Sequence, residues 1–127
     1  MKKFFNILLT LIIVFVFTNL TSLKASAAST AAMIDIHQSI SKPSSKVFLT
    51  KNVSIRASNN SEGSRKVAVS LVNSQTGKVV AMKNLSNTNN KMVNAINLNP
   101  IPAGYYHIVL TCSQKTYCRG SAVLQGT

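Results

Sequence analysis

Acidic residues are nearly absent from this chain: its 127 residues hold two, Asp35 and Glu62, against fourteen lysines and arginines, a formal net charge of +12. A paired-carboxylate mechanism needs two acids in one cleft. Here one acid lies in the stretch ASTAAMIDIHQSISKPSSK and the other in the turn NNSEGSRK. Histidine and cysteine are as scarce, with two of each. A metal site commonly draws four ligands, which Cys112, Cys118, His37 and His107 are too scattered to supply. Asp35 and His37 share one side of a short alternation and read as a surface pair. His107 falls on the outward side of its strand with Tyr105 and Val109, and no nucleophile-elbow motif singles out a serine for it to activate. The expectation is a protein without catalytic residues, metal or cofactor.

What the chain does have begins with an apolar leader. Lys2 and Lys3 precede FFNILLTLIIVFVF, and Ala25-Ser26-Ala27 supplies the small-x-small pattern that a signal peptidase cuts after, so residues 1–27 are read as a secretory signal peptide. The competing reading is an uncleaved anchor, because residues 4–23 are about long enough to cross a bilayer. Asn6, Thr10, Thr18 and Asn19 interrupt that run and favour cleavage. No cysteine lies near the cut, which excludes a lipoprotein anchor. The style of this leader is similar to that of exported Gram-positive bacterial proteins. Cleavage removes three lysines, leaving eleven cations against two acids, a net of +9 on 100 residues. That is one small domain.

Residues 28–45 are small and polar and are read as a flexible leader or an edge strand, with the folded domain spanning 46–127. Short apolar runs then recur between turn signals, the spacing of an antiparallel sandwich. Val53, Ile55 and Ala57 alternate with Ser54 and Arg56; Val67, Val69 and Leu71 alternate with Ala68 and Ser70. Gly77 suits a turn that would set Leu71 opposite Val80 and Val69 opposite Met82. A weaker strand covers residues 92–98. Pro100, Pro102 and Gly104 then make a corner where the chain changes sheets, and a new strand begins at Tyr105. With Cys112 opposite Cys118 in a hairpin, Leu110 would meet Gly120, Ile108 would meet Ala122 and Tyr106 would meet Leu124. Large residues meet small ones at two of those positions. In an exported chain such a cysteine pair reads as a structural disulfide, since its spacing is too wide for a redox Cys-x-x-Cys. The fold class expected is all-β: a small antiparallel sandwich of about seven strands with a disulfide-stapled C-terminal hairpin.

Leu98, Pro100, Gly104 and Tyr106, followed by Ile108 and Leu110, resemble the corner and penultimate strand of an immunoglobulin or fibronectin type III sandwich, in which a tyrosine hydroxyl bonds back to upstream backbone. The chain lacks the core tryptophan of the former. The resemblance implies a binding or structural module.

Net charge supplies the remaining functional signal. A strongly positive exported domain draws anionic partners: teichoic acid, anionic lipid or extracellular nucleic acid. The cations are spread along the sequence without a dense run. Lys115, Tyr117 and Arg119 alternate around Cys118, and this trio, with Arg65 and Lys66, forms the candidate ligand-binding set: an aromatic ring to stack on a sugar or base, between cations that hold phosphate. The expected role is a non-enzymatic protein, secreted or retained at the cell wall, that binds anionic envelope or extracellular polymers. The alternatives are a cationic antimicrobial or toxin acting on anionic membranes and an inhibitor of a secreted enzyme, whose partner would be a protein. We predict that the exported form begins at Ala28 or one residue later. Mass spectrometry of culture supernatant checks this, and recovery of only the full-length chain in the membrane fraction would establish the anchor instead.

Overall fold

A computed structural model of the chain describes residues 27–34, 40–113 and 117–127. The described residues form nine strands and no helix: β1 Ala28–Ile34, β2 Ser41–Pro43, β3 Val47–Leu49, β4 Val53–Asn59, β5 Val67–Asn73, β6 Val79–Leu85, β7 Val93–Leu98, β8 Gly104–Cys112 and β9 Gly120–Gly126. Two antiparallel sheets pack face to face. One has the order β1-β9-β4-β7, the other β2-β8-β5-β6 with β3 also on the β2 edge of β8. We call them sheet A and sheet B. The count exceeds the expected seven because residues 28–34 form a full edge strand and one edge of sheet B is split into β2 and β3.

Alternation along the strands explains the layers. In β4, Val53, Ile55 and Ala57 are buried while Arg56 is exposed; in β8, Tyr106, Ile108, Leu110 and Cys112 are buried while their neighbours face outward. These side chains interdigitate with Val67, Val69 and Leu71 of β5 and with Ala122 and Leu124 of β9 to make one core. Such a two-sheet stack is the standard solution for strands with one apolar face. Tyr106 is the largest fully buried side chain, and its hydroxyl donates to the Pro102 carbonyl at 2.6 Å. Between β7 and β8, where the Asn99–Pro100 peptide is cis, the chain passes from sheet A to sheet B.

Nearly every connection changes sheets; only the β2–β3 step and the β5–β6 hairpin stay within one. This is the double Greek-key wrapping of a jelly roll with one edge strand broken in two. In an immunoglobulin sandwich the last strand lies beside the penultimate one. Here β9 lies between β1 and β4, so the likeness to that family stops at the corner.

The disulfide expected between Cys112 and Cys118 is present, with Cα atoms 5.6 Å apart and both residues buried. The strands it joins hydrogen-bond in different sheets rather than with each other: β8 pairs with β5, and β9 with β1 and β4. Leu110 therefore lies opposite Val69, and Gly120 opposite Asn59. The small residue at position 120 serves the layer contact, because a Cβ there would come within 2.7 Å of the Ser58 carbonyl oxygen and about 3.2 Å of Val67. Gly126 is as constrained, since a Cβ would strike the Asn52 carbonyl and approach Leu49 to 2.8 Å. The expected facing of Ile108 with Ala122 and of Tyr106 with Leu124 is likewise replaced: Ile108 lies opposite Leu71, Ala122 opposite Ala57 and Leu124 opposite Ile55.

The β5–β6 hairpin also differs in register. Asn73 donates to the Lys78 carbonyl at 2.9 Å, and Val72 pairs with Val79. A register shift between Leu71 and Val72, with Val80 the extra residue on β6, then sets Leu71 opposite Ala81 and Val69 opposite Lys83. The extra residue sends Met82 outward with Ser70, where the expected register had put it on the core side.

The disulfide spans a short loop and contributes about 2 kcal/mol by the chain-entropy relation. Replacing both cysteines by serine should lower the melting temperature by on the order of 10 °C for a domain this small. Calorimetry checks it, and free thiols titrating in the native protein would contradict the bridge.

Candidate functional site: the basic end of the sandwich

The β4 strand ends in Asn59, whose side chain is fully buried. Its Nδ2 donates to the Arg65 carbonyl at 2.8 Å and to the Leu85 carbonyl at 2.7 Å, and its Oδ1 accepts the Ser61 amide at 2.9 Å. The backbone of Asn59 is bonded in turn to Thr88: its amide reaches the Thr88 hydroxyl at 3.1 Å, and its carbonyl accepts the Thr88 amide at 2.9 Å. One asparagine thus folds the 60–66 segment around itself and holds the 86–92 segment beside it. Ser61 extends the network to the entry of β9. Its hydroxyl accepts the Arg119 amide at 2.8 Å and donates to the Arg119 carbonyl at 3.1 Å. The Lys66 carbonyl accepts both the amide and the hydroxyl of Ser113 at 3.1 Å, beside Cys112.

These bonds gather residues far apart in sequence onto one end of the molecule. Lys66, Lys91, Tyr117 and Arg119 are exposed there and Arg65 is half-buried. Lys91 belongs to the end because its amide bonds to the Thr88 carbonyl at 3.1 Å. Tyr117 and Arg119 flank the buried Cys118, so the disulfide holds both ring and cation outward. Arg56, at the top of the outer face of sheet A, donates to the Met92 carbonyl at 3.1 Å. Glu62 is the acid among the described residues, and it sits in this same loop region. Asn89 and Asn90 carry positive φ angles of 50° and 61°, a backbone shape asparagine tolerates better than most residues.

Of the expected binding set, Arg65, Lys66, Tyr117 and Arg119 come together at this end, while Lys115 lies outside the described residues, as do Asp35 and His37. Lys91, Asn59, Ser61 and Thr88 lie outside the expected binding set. A signal existed in the polar run SNNSEGS, residues 58–64, which follows an apolar strand and must satisfy its own backbone.

At the opposite end, Ser74 and His107 share a hydrogen bond of 2.7 Å between Oγ and Nδ1, the donor following the imidazole tautomer. No carboxylate of the described residues stands beside them, Glu62 being at the basic end. Two clefts of about 580 and 480 Å³ open near Thr127 and Asn99, and no charged side chain lines either. Among the described residues there is no group of three or more histidine, cysteine or acidic side chains able to hold a metal ion, and no helix long and apolar enough to cross a membrane. The disulfide is consistent with an oxidising, extracellular compartment. No protein-family model matches the chain, and it has no match among curated proteins.

Proposed function

We propose that this is an exported, non-catalytic protein of Gram-positive type whose basic end binds anionic polymers of the cell envelope or the extracellular medium. The observation that carries the reading is the gathering of Arg65, Lys66, Lys91, Arg119 and exposed Tyr117 at one end of the molecule, held by the Asn59 network and the disulfide. Dispersed along the sequence, these charges are collected by the fold. A rigid cluster of cations gains entropy when phosphates displace its counterions and those of the polymer, and it loses little of its own freedom on binding. The phenol ring adds a face on which a base or sugar stacks, a contact that tolerates many sequences and compositions. Teichoic acid and extracellular nucleic acid share the chemistry such a surface recognises: a phosphate every few ångströms along a flexible chain. Strand β1 begins at Ala28, immediately after the expected cut, so processing removes no part of either sheet.

Four neutralised phosphates on a flexible single strand imply that affinity falls about 50-fold between ~50 and ~200 mM salt. With a single-stranded oligonucleotide and with polyphosphate as probes, Lys91→Ala and Lys66→Ala should each weaken binding and flatten the salt slope by about one phosphate's worth. Lys51→Ala, at the far end, should do neither. Tyr117→Ala should cost the oligonucleotide about 5-fold or more at every salt concentration, through a stacking loss of roughly 1 to 3 kcal/mol per base. Equal losses for Lys51 and Lys91 would remove the basic end from the mechanism, and binding indifferent to salt would remove polyanions altogether.

A further inference from the structure

Strand β7 carries asparagine at two of its six positions, Asn94 and Asn97, and Asn99 follows its last residue. Strands disfavour asparagine. Elsewhere in the molecule the amides have structural work: Asn59, Asn73 and Asn87 bond to the main chain of the loops around them. The side chains of Asn97 and Asn99, and of Ser54 and Gln125 on the strands beside them, make no hydrogen bond to any described residue.

Most of these groups border one cleft. Its volume is about 480 Å³, it lies at the end opposite the basic end, and Asn52, Val53, Ser54, Asn97, Leu98 and Asn99 line it. Val53 pairs with Leu98 and Ser54 with Asn97, so Ser54 and Asn97 stand side by side on the outer face of sheet A. The Asn52 amide is already oriented, because its Oδ1 accepts the main-chain amide of Thr127 at 3.1 Å and the Thr127 hydroxyl at 3.0 Å. Both hydrogens of its Nδ2 are left without a partner among the described residues. From the cleft a row continues across the sheet through Asn97, Ser54, Gln125 and Ser29, one hydrogen-bonding side chain per strand at a spacing of about 4.8 Å.

This lining selects a chemical class. No charged side chain borders the cleft, so it offers neither an ion pair to an anion nor a carboxylate to a cation. Amides and hydroxyls both donate and accept, as sugar hydroxyls do. Half-buried Leu98 gives the C–H face of a sugar ring an apolar contact. The spacing of the row is close to the rise of one pyranose in an extended glycan. A peptide adding as a further strand fits less well, because Ala95 is the extra residue where the β4–β7 register shifts, and Pro100 and Pro102 follow the strand. We propose that this cleft, with the row leading to Gln125, binds a neutral oligosaccharide. The site is remote from the basic end and does not depend on the polyanion reading.

The test is an NMR titration of the isotope-labelled exported chain with cellotetraose and with the tetramer of N-acetylglucosamine. At least one sugar should give saturable shifts of the side-chain amide signals of Asn52, Asn97, Asn99 and Gln125, with the same affinity at ~50 and ~500 mM salt. Asn97→Ala and Gln125→Ala, both at exposed positions, should each weaken binding about 5-fold, and the double variant should weaken it further. Asn84→Ala removes an exposed, unbonded amide from β6 and should change nothing. Lys66→Gln/Lys91→Gln should weaken polyphosphate binding and leave sugar binding intact, with thermal melts confirming that each variant is folded. Wild-type affinity of Asn97→Ala/Gln125→Ala for the sugar would overturn the proposal. So would an affinity that falls with salt, or the absence of shifts with both sugars up to ~10 mM.

Discussion

The amide of Asn59 is completely buried, and it donates both its hydrogens to carbonyl groups of other segments, Arg65 and Leu85, while its oxygen takes the Ser61 amide. Leu85 closes a strand of sheet B and Asn59 a strand of sheet A, so this one side chain ties the two layers at the end where their loops meet. A buried group of this kind stabilises modestly when satisfied, but each partner orphaned by its loss costs about 1 to 3 kcal/mol. Segment 60–66 depends on it directly and the start of β9 through Ser61 and Arg119, while the main chain of the same residue holds 86–92 through Thr88. The disulfide fastens the same end from the other side. The proposed binding site lies at that end, where the described cations Arg65, Lys66, Lys91 and Arg119 come together.

Wrapping the chain between sheets gives the small domain its economy. Gly120 and Gly126 let β9 press against β4 backbone, so the last strand completes sheet A and covers the core with Ala122 and Leu124. On the opposite margin, the Thr30 hydroxyl meets Ser45, its Oγ1 lying 2.8 Å from the Ser45 hydroxyl, and joins the edge of sheet A to the link between β2 and β3. Thr127 is held by three consecutive amides, those of Thr50, Lys51 and Asn52, at 2.7 to 3.3 Å from its main-chain oxygen. Hydrogen bonds at the rim thus do what a larger core would do in a larger domain.

Alternation made the strands legible: Val53, Ile55, Ala57 and Val67, Val69, Leu71 face the core as their spacing requires. The cysteine pair was legible from its count and context. Strand partners were not, because a period of two fixes which face a residue takes and leaves open which strand lies beside it. Leu110 and Gly120 satisfied a hairpin register on volume alone, and only the Greek-key wrapping separates them. A one-residue irregularity between Leu71 and Val72 moved Met82 from the core side to the surface, and no turn residue announces it. The basic end was half legible. Arg65, Lys66, Tyr117 and Arg119 stand near turns or the disulfide, whereas Lys91 joins them through long-range contacts of its loop, Thr88 with Asn59 and Asn87 with Ser61, which link residues 29 and 26 apart in sequence.

We place the proposed binding of phosphate chains at the basic end of the sandwich. That location is the central claim, and an NMR titration of the isotope-labelled exported chain with polyphosphate tests it most directly. Amide signals of Arg65, Lys66, Lys91, Tyr117 and Arg119 should shift together and saturate, while those of Lys51, Lys78 and the residues around Thr127 stay in place. Shifts spread evenly over all lysines, or centred on the Lys51 end, would contradict it.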